Sequence, residues 1–490
     1  MTTWRGPCIG ATLAWLVGST GLHARPCETI ARQAQLREQH ADLRFAPPAR
    51  PSSAGHVDST TWPIRVHFET EALAVRAPAL LGIAEDAWQF LMEEIGYPRP
   101  LPDGLAGGDE RLDLYLGFVG VAGALTIAED DGAVGDEFAV APAYIIVSAD
   151  LSDDELPTFV HHEMAHAVQF ALDLEESLMF FEASAVAHER YALPGVLRWA
   201  DSLDDFQAWP SAPIFTNGID WRAVTGRASL YEFGASLFLL YLEQHHGDDD
   251  GTLIRDLWIA SQQPAGSGNE PDWLDELPRL TGRGLPALVL DFASWRTLLA
   301  GWAVPEVSLP EAAALTGEAL PATLRLVASA LDGEPIALTR ERLPHQYGCA
   351  AIETVAGLEG LFIDVEARAL PTAVPEERPL GIAYVIGEPS AAIAVRGATP
   401  TTSPRLQTSL QVPPRHTLVL YVCDVGAADA DELPVATDLE LRLSIGAPDA
   451  GGPLPDDDGE VDAGTLGEPG TMPPACGCQQ GKAPQGVAPD

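Results

Sequence analysis

The chain contains a single lysine, Lys482, and 28 basic residues in all against 71 acidic ones, a formal net charge of −43 over 490 residues. So large a deficit of positive charge excludes attraction to phosphate backbones or to anionic lipid, and with it most nucleic-acid and membrane-surface functions. Long apolar runs are missing too. Beyond the N-terminus no stretch approaches the ~18 uninterrupted apolar residues that a membrane helix needs. No internal repeat recurs. At roughly 150 residues per domain the length suggests two or three domains, each able to bury a core.

What is present begins with the N-terminus. One positive side chain in Met1–Arg5, a small apolar run from Cys8 to Leu22 and the step Leu22-His23-Ala24 read as a secretory signal over residues 1–24. The alternative is a buried N-terminal helix, and Pro26 argues against it. An exported chain is secreted or held at the cell surface, where cysteines oxidise. Cys349 and Cys423 both lie at strand-like runs and are expected to pair, the alternative being two buried free thiols. Cys27, Cys476 and Cys478 have no evident partners.

Residues 25–60 are rich in Pro, Ser and polar groups and read as a propeptide or linker. Residues 61–304 alternate short strands (64–68, 112–116, 143–147) with apolar-periodic helices. One helix opens at Pro78 and closes at Gly96; others cover 159–172, 180–191, 229–246 and 253–261. Ser152 with Glu155 has capping-box spacing, and Ser177 is placed to cap the helix after it. From 305 to 446 short apolar runs recur between Pro/Gly turns, as in an all-β sandwich. Residues 447–490 are Asp, Gly, Pro and Glu with little to bury, which reads as a disordered acidic tail. The fold class expected is α+β, a small sheet with helices followed by the sandwich and the tail.

The informative string is His161-His162-Glu163-Met164-Ala165-His166. His162 and His166 stand at i and i+4, about 40° apart round a helix, so both imidazoles can reach one ion. Glu163 lies beside that ion without filling a ligand position, the H-E-x-x-H arrangement of zinc peptidases. Chance yields it about once in fifty chains of this composition. The alternative is a pair of partly buried histidines bonded to carbonyls. His161 points about 100° away from His162 and is assigned a supporting role.

A catalytic zinc takes three protein ligands and keeps one position open. The extension that would supply a third histidine fails, since Gln169 and Leu172 occupy its positions. The expected third ligand is Glu182, an acid inside an apolar helix face, where an unpaired carboxylate is costly. Asp173, Glu175 and Glu176 remain alternatives. Glu189, two turns after Glu182, is placed to accept a hydrogen bond from the other ring N–H of a ligand histidine; the alternative is a solvated Glu beside Arg190. His188 reads as a surface residue.

In these residues the chain resembles the gluzincin zinc metallopeptidases, and more narrowly a group of secreted metalloproteases of myxobacteria and related bacteria. The resemblance rests on His162-Glu163-Met164-Ala165-His166-Ala167-Val168-Gln169, on Phe181-Glu182-Ala183-Ser184-Ala185 through Glu189, and on Glu232-Phe233-Gly234-Ala235-Ser236-Leu237-Phe238 with Tyr241-Leu242. It spans roughly residues 62–262. It implies a zincin-like catalytic domain, Zn2+ as cofactor, a protein or peptide substrate, His162, His166 and Glu182 as ligands and Glu163 as base. Ala183 stands where the group usually has Gly, and Phe233 where it tends to have Tyr. A phenol that steadies the oxyanion is therefore missing at 233, and Tyr231 is the candidate substitute. Cys476-Gly477-Cys478 resembles the cysteine of a surface-sorting tag, without the apolar span and Arg cluster that should follow. The rival reading, from another class, is a non-catalytic extracellular binding protein with a structural zinc.

Overall fold

The computed structural model describes residues 49–117, 123–129, 139–227, 229–262, 270–355, 360–370, 378–389, 394–400, 403–430 and 435–446. The signal, most of the leader, the acidic tail and Cys27, Cys476 and Cys478 lie outside the described residues.

The first half is a five-stranded sheet with helices. Its strands are β1 (Gly55–Asp58), β2 (Ile64–Phe68), β3 (Leu112–Gly117), β4 (Ala124–Ala128) and β5 (Ala143–Ser148), in the order β1-β2-β3-β5-β4. β2, β3 and β5 run parallel, whereas β1 and β4 are antiparallel edge strands. β2 and β4 are buried at every residue, as a sheet covered by helices requires. β1 falls in the segment read as leader. Arg50, in that same segment, is ion-paired with Asp103, Asp113 and Glu129, so the segment from Arg50 onward is part of this sheet's framework.

Helix α1 (Ala77–Trp88) starts with Pro78 in its first turn and continues as a wider π-type stretch to Ile95. Gly96 ends it in the left-handed conformation, φ 85°, that a glycine adopts without strain. Helix α2 (Leu156–Phe170) follows β5, and the Ser152 backbone N–H donates to Glu155 Oε2 at 3.0 Å, as the capping-box spacing predicts. Helix α3 (Leu178–Ala192) packs against α2. Ser177 precedes it, but its hydroxyl does not cap the helix; it accepts from the Trp273 indole at 3.1 Å.

The helices beyond are α4 (Leu203–Gln207), α5 (Gly218–Thr225), α6 (Tyr231–Gly234), α7 (Ser236–His246), α8 (Thr252–Ala260), α9 (Trp273–Thr281) and α10 (Leu285–Trp295). The single helix expected over 229–246 is thus two, and α4, α5, α9 and α10 are additions to the sequence reading.

The C-terminal part forms two antiparallel-rich sheets that face each other across a common aliphatic core. One holds, in order, β11 (Ala394–Pro400), β10 (Leu380–Gly387), β13 (Thr417–Asp424), β8 (Cys349–Val355) and β6 (Leu324–Leu326). The other holds β12 (Arg405–Val412), β9 (Leu361–Ala369), β14 (Leu439–Gly446) and β7 (Asp332–Pro335). Cys349 and Cys423 stand directly opposite each other on β8 and β13, Cα atoms 3.9 Å apart, and form the expected disulfide. Packing does not break near residue 305. Tyr347, Cys349, Val385, Tyr421 and Cys423 belong to the same hydrophobic core as the helices, and the Thr297 and Tyr421 hydroxyls hydrogen-bond at 2.7 Å.

Candidate metal centre

Two helices and one edge strand build the site. In α2 every residue but Pro157 is buried, so His162, Glu163 and His166 meet protein on all sides. In α3 the small residues Ala183, Ser184 and Ala185 let the helix approach closely, with Glu182 aimed at the histidines. The three donors converge. His162 Nε2 is 3.1 Å from His166 Nε2 and 3.1 Å from Glu182 Oε2, and His166 Nε2 is 3.4 Å from that oxygen. Among the described residues this is the one group of His, Cys, Asp and Glu side chains close enough to share an ion.

The surrounding hydrogen bonds decide what those atoms are. His162 Nδ1 lies 2.8 Å from Glu189 Oε1, and His166 Nδ1 lies 2.6 Å from Gln169 Oε1. The Gln169 amide is oriented by its own donors, since Nε2 gives hydrogen bonds to the Phe181 carbonyl (3.2 Å) and to Ser184 Oγ (2.9 Å). Its oxygen therefore faces His166 and needs a proton from Nδ1. With both Nδ1 protons spent outward on acceptors, both Nε2 atoms of the neutral rings are lone pairs. Two imidazole lone pairs and a carboxylate oxygen then meet with no proton between them, an arrangement that a cation resolves.

Burial pushes the Glu182 carboxyl up; with a proton on the facing Nε2 atoms the His166 and His162 rings outweigh it and hold it at about 2, and with both Nε2 atoms bare a cation takes the place of that proton. Burial raises Glu189 above the usual carboxylate range, with His162 pulling it back. Glu163 is fully buried, and its Oε2 is 2.7 Å from Thr126 Oγ1 on β4. The same hydroxyl is 2.9 Å from the Glu163 carbonyl. Edge strand β4 thus fixes Glu163 laterally while α2 fixes it along the helix.

The remaining sequence candidates fall as follows. His161 Nδ1 donates to the Pro157 carbonyl at 2.8 Å and takes no part in the cluster. Tyr231 is not brought to it either. Its hydroxyl donates to the Pro213 carbonyl at 3.0 Å and its ring packs on Phe206. Phe233 is the residue of α6 that reaches the site, its ring lying on His162 at 6.0 Å and 14°. Of the alternative acids, Glu176 accepts from the backbone N–H groups of Ser177 and Trp273. Asp173 accepts from the Glu175 N–H. His188, read as a surface residue, is buried, with Nδ1 donating to the Ser184 carbonyl at 2.7 Å, and burial lowers it to about 4.

Sequence reasoning missed Thr126, Ser184 and the role of Gln169. Thr126 lies outside every quoted stretch and has no marker, while Ser184 falls within Phe181–Ala185 with no role marked for it. Gln169 stood at i+3 from His166, within reach on the same helix face.

No family model matches the sequence, and no curated protein matches it. Among solved structures the chain was compared with a protein described as a novel family GH115 4-O-methyl-α-glucuronidase with specificity for decorated arabinogalactans. The two are 11% identical with a TM-score of 0.13, over 60% of this chain and 39% of the other. This chain therefore spans about two fifths of that enzyme, and a likeness this slight supports no inference about fold or activity.

Proposed function

We propose that the protein is a secreted zinc-dependent peptidase of zincin-like fold, with His162, His166 and Glu182 as ligands and Glu163 as general base. The observation that carries this reading is the convergence of three lone-pair donors beside a buried carboxylate. Donors 2.0–2.1 Å from a tetrahedral zinc lie about 3.3 Å from one another, and the three separations here are 3.1, 3.1 and 3.4 Å. Imidazole with one carboxylate is also a donor set that suits zinc better than calcium or magnesium.

Bound there, zinc supplies Lewis acidity, polarising the scissile carbonyl and bringing the pKa of a water from ~15.7 toward ~7. The chain's own groups do the rest. Glu163 accepts the proton as that water's oxygen bonds to the peptide carbon, then returns it to the amine as the C–N bond breaks. Thr126 holds the Glu163 carboxylate in place. Glu189 and Gln169 keep each imidazole in the tautomer that leaves Nε2 free. Export rests on the N-terminal signal and agrees with the Cys349–Cys423 bridge.

A second reading has one observation in its favour. His162, His166 and Glu182 are 4%, 0% and 2% exposed, the closed setting of a structural metal. In that case the protein is a non-catalytic extracellular binding protein. Metal analysis of purified protein with a casein-type assay, with and without chelator, separates the two. The peptidase reading expects about one zinc per chain and chelator-sensitive cleavage. Stoichiometric zinc without cleavage would favour the rival, and absence of zinc would overturn both.

A further inference from the structure

The outer face of the second C-terminal sheet carries a charge pattern that the folding of the sandwich does not require. Strands β12, β9 and β14 are neighbours, and their inward residues, among them Leu406, Ala367 and Leu441, fill the aliphatic core. The outward set is Arg405, Gln407, Arg368, Glu366, Glu440 and Arg442, which together line an open groove of about 400 Å³. Arg405 pairs in register with Arg368, and Arg368 with Glu440 on its other side. Arg442 is committed: its Nε donates to Glu440 Oε1 at 3.2 Å and its Nη1 to the Gly333 carbonyl at 3.1 Å.

Arg368 and Arg405 are both exposed, and neither forms an ion pair within 4.0 Å among the described residues. Like charges directly opposite each other on neighbouring strands are destabilising. In a chain with 71 acidic residues and 28 basic ones, two exposed guanidinium groups side by side, neither ion-paired although Glu440 and Glu366 line the same groove, are the feature to explain. An oxyanion held between them removes the repulsion, and the planar guanidinium fork matches a carboxylate bidentately.

We infer that this groove binds an acidic polysaccharide, a polymer of carboxylate-bearing sugars. The chemistry of the floor selects that class. β9 and β14, which form the middle of the floor, are hydrogen-bonded on both sides, and only β12 has an open edge, which lies at the groove's rim. Leu406, Ala367 and Leu441 point the other way, so the groove itself has no pocket for a peptide's apolar residues, and Phe362 is the outward apolar residue of β9, further along the same face. What remains is side-chain donors and acceptors. The arginines take carboxylates, while Glu366, Glu440 and Gln407 exchange hydrogen bonds with hydroxyl groups. The chain's net negative charge does not forbid this, because at 0.15 M salt fields beyond ~8 Å are screened and the local guanidinium groups decide.

The test is binding of the full-length protein to polygalacturonate, with dextran and poly-glutamate as comparators, at physiological salt. The wild type should be retained by polygalacturonate only. Arg368→Gln with Arg405→Gln should weaken that binding about tenfold or more, with an unchanged melting temperature as the check on folding. Arg368→Lys with Arg405→Lys keeps the charge but not the fork and should fall between the two. No retention of the wild type, equal retention of the Gln variant, or equal retention on poly-glutamate would each overturn the proposal. Chelator should make no difference, so the outcome is independent of the metal centre.

Discussion

The helix pair α2–α3 and the C-terminal sandwich each enclose a buried interior, and opposite means hold them. Between α2 and α3 the interior is polar: two histidines, Glu182, Glu189, a glutamine and a serine share one network, and Glu163 beside them bonds Thr126. Between the two C-terminal sheets it is aliphatic, with Ile352, Ile382, Leu420, Ile363, Leu410 and Leu441 filling the space. A polar interior is stable only when every partner is present, because an orphaned buried group carries its whole desolvation cost. An aliphatic interior degrades gradually, with the volume removed. The helix pair should therefore fail at single atoms and the sandwich only at its cross-link or its bulk.

The largest effect expected is at Glu182. Glu182→Ala removes a ligand and leaves two lone pairs facing each other, so zinc affinity should fall roughly 100-fold or more, read by competition with a chromophoric chelator. Glu176→Ala, at a buried acid that bonds Ser177 and the Trp273 N–H and not the cluster, should leave metal affinity unchanged while lowering stability. Equal metal loss in both would erase the distinction drawn between them.

Next come the residues behind the ligands. Glu189→Ala and Gln169→Ala should each weaken zinc binding about 10–100-fold, because the imidazoles lose the partners that fix their tautomers. Unchanged affinity in both would mean that packing alone orients the rings.

In the sandwich, Cys349→Ser should cost about 2–4 kcal/mol in a denaturant titration. Zinc affinity should stay at the wild-type value, since the hydrogen bond from the Cys349 N–H to the Pro210 carbonyl, 2.7 Å, does not depend on the sulfur. A weakened metal site in this variant would couple the two regions.

The smallest effect concerns pH. His345 is buried, with Nδ1 near the Ser211 and Leu343 carbonyls, and burial lowers it to about 4. A histidine depressed on folding contributes stability above its unfolded value near 6.5 and loses it as pH falls through 4. His345→Gln should remove that loss, flattening the stability curve by up to about 1.4 kcal/mol per pH unit across this window. Parallel curves for the two proteins would contradict the assignment.

Much of the candidate metal centre was legible because it is local in sequence. His162, Glu163 and His166 share one helix, and the spacing of Glu182 and Glu189 places both on one face of the next. Thr126 was not legible as a site residue, because strand pairing brings it in from far along the chain; position 233 was marked only by the family resemblance, as the place of a Tyr. Tyr231 shows the limit of the same reasoning. It was named as the substitute for the missing phenol at 233, but residues two apart on a helix face different sides, and its hydroxyl is spent on the Pro213 carbonyl. In the C-terminal part the recurring runs marked most strands, and the cysteines marked the β8–β13 pair. The strand β12 went unread because Arg405, Gln407 and Gln411 interrupt its apolar residues, as outward positions of a half-exposed strand do.

The central claim is that Glu163 works as a base beside a zinc held by His162, His166 and Glu182. Glu163→Gln tests it most directly, with zinc content and peptide hydrolysis measured on the same preparation. The amide cannot accept a proton, so the variant should keep zinc at the wild-type stoichiometry while hydrolysis falls at least 10²-fold. Zinc retained with cleavage near the wild-type rate would contradict the mechanism.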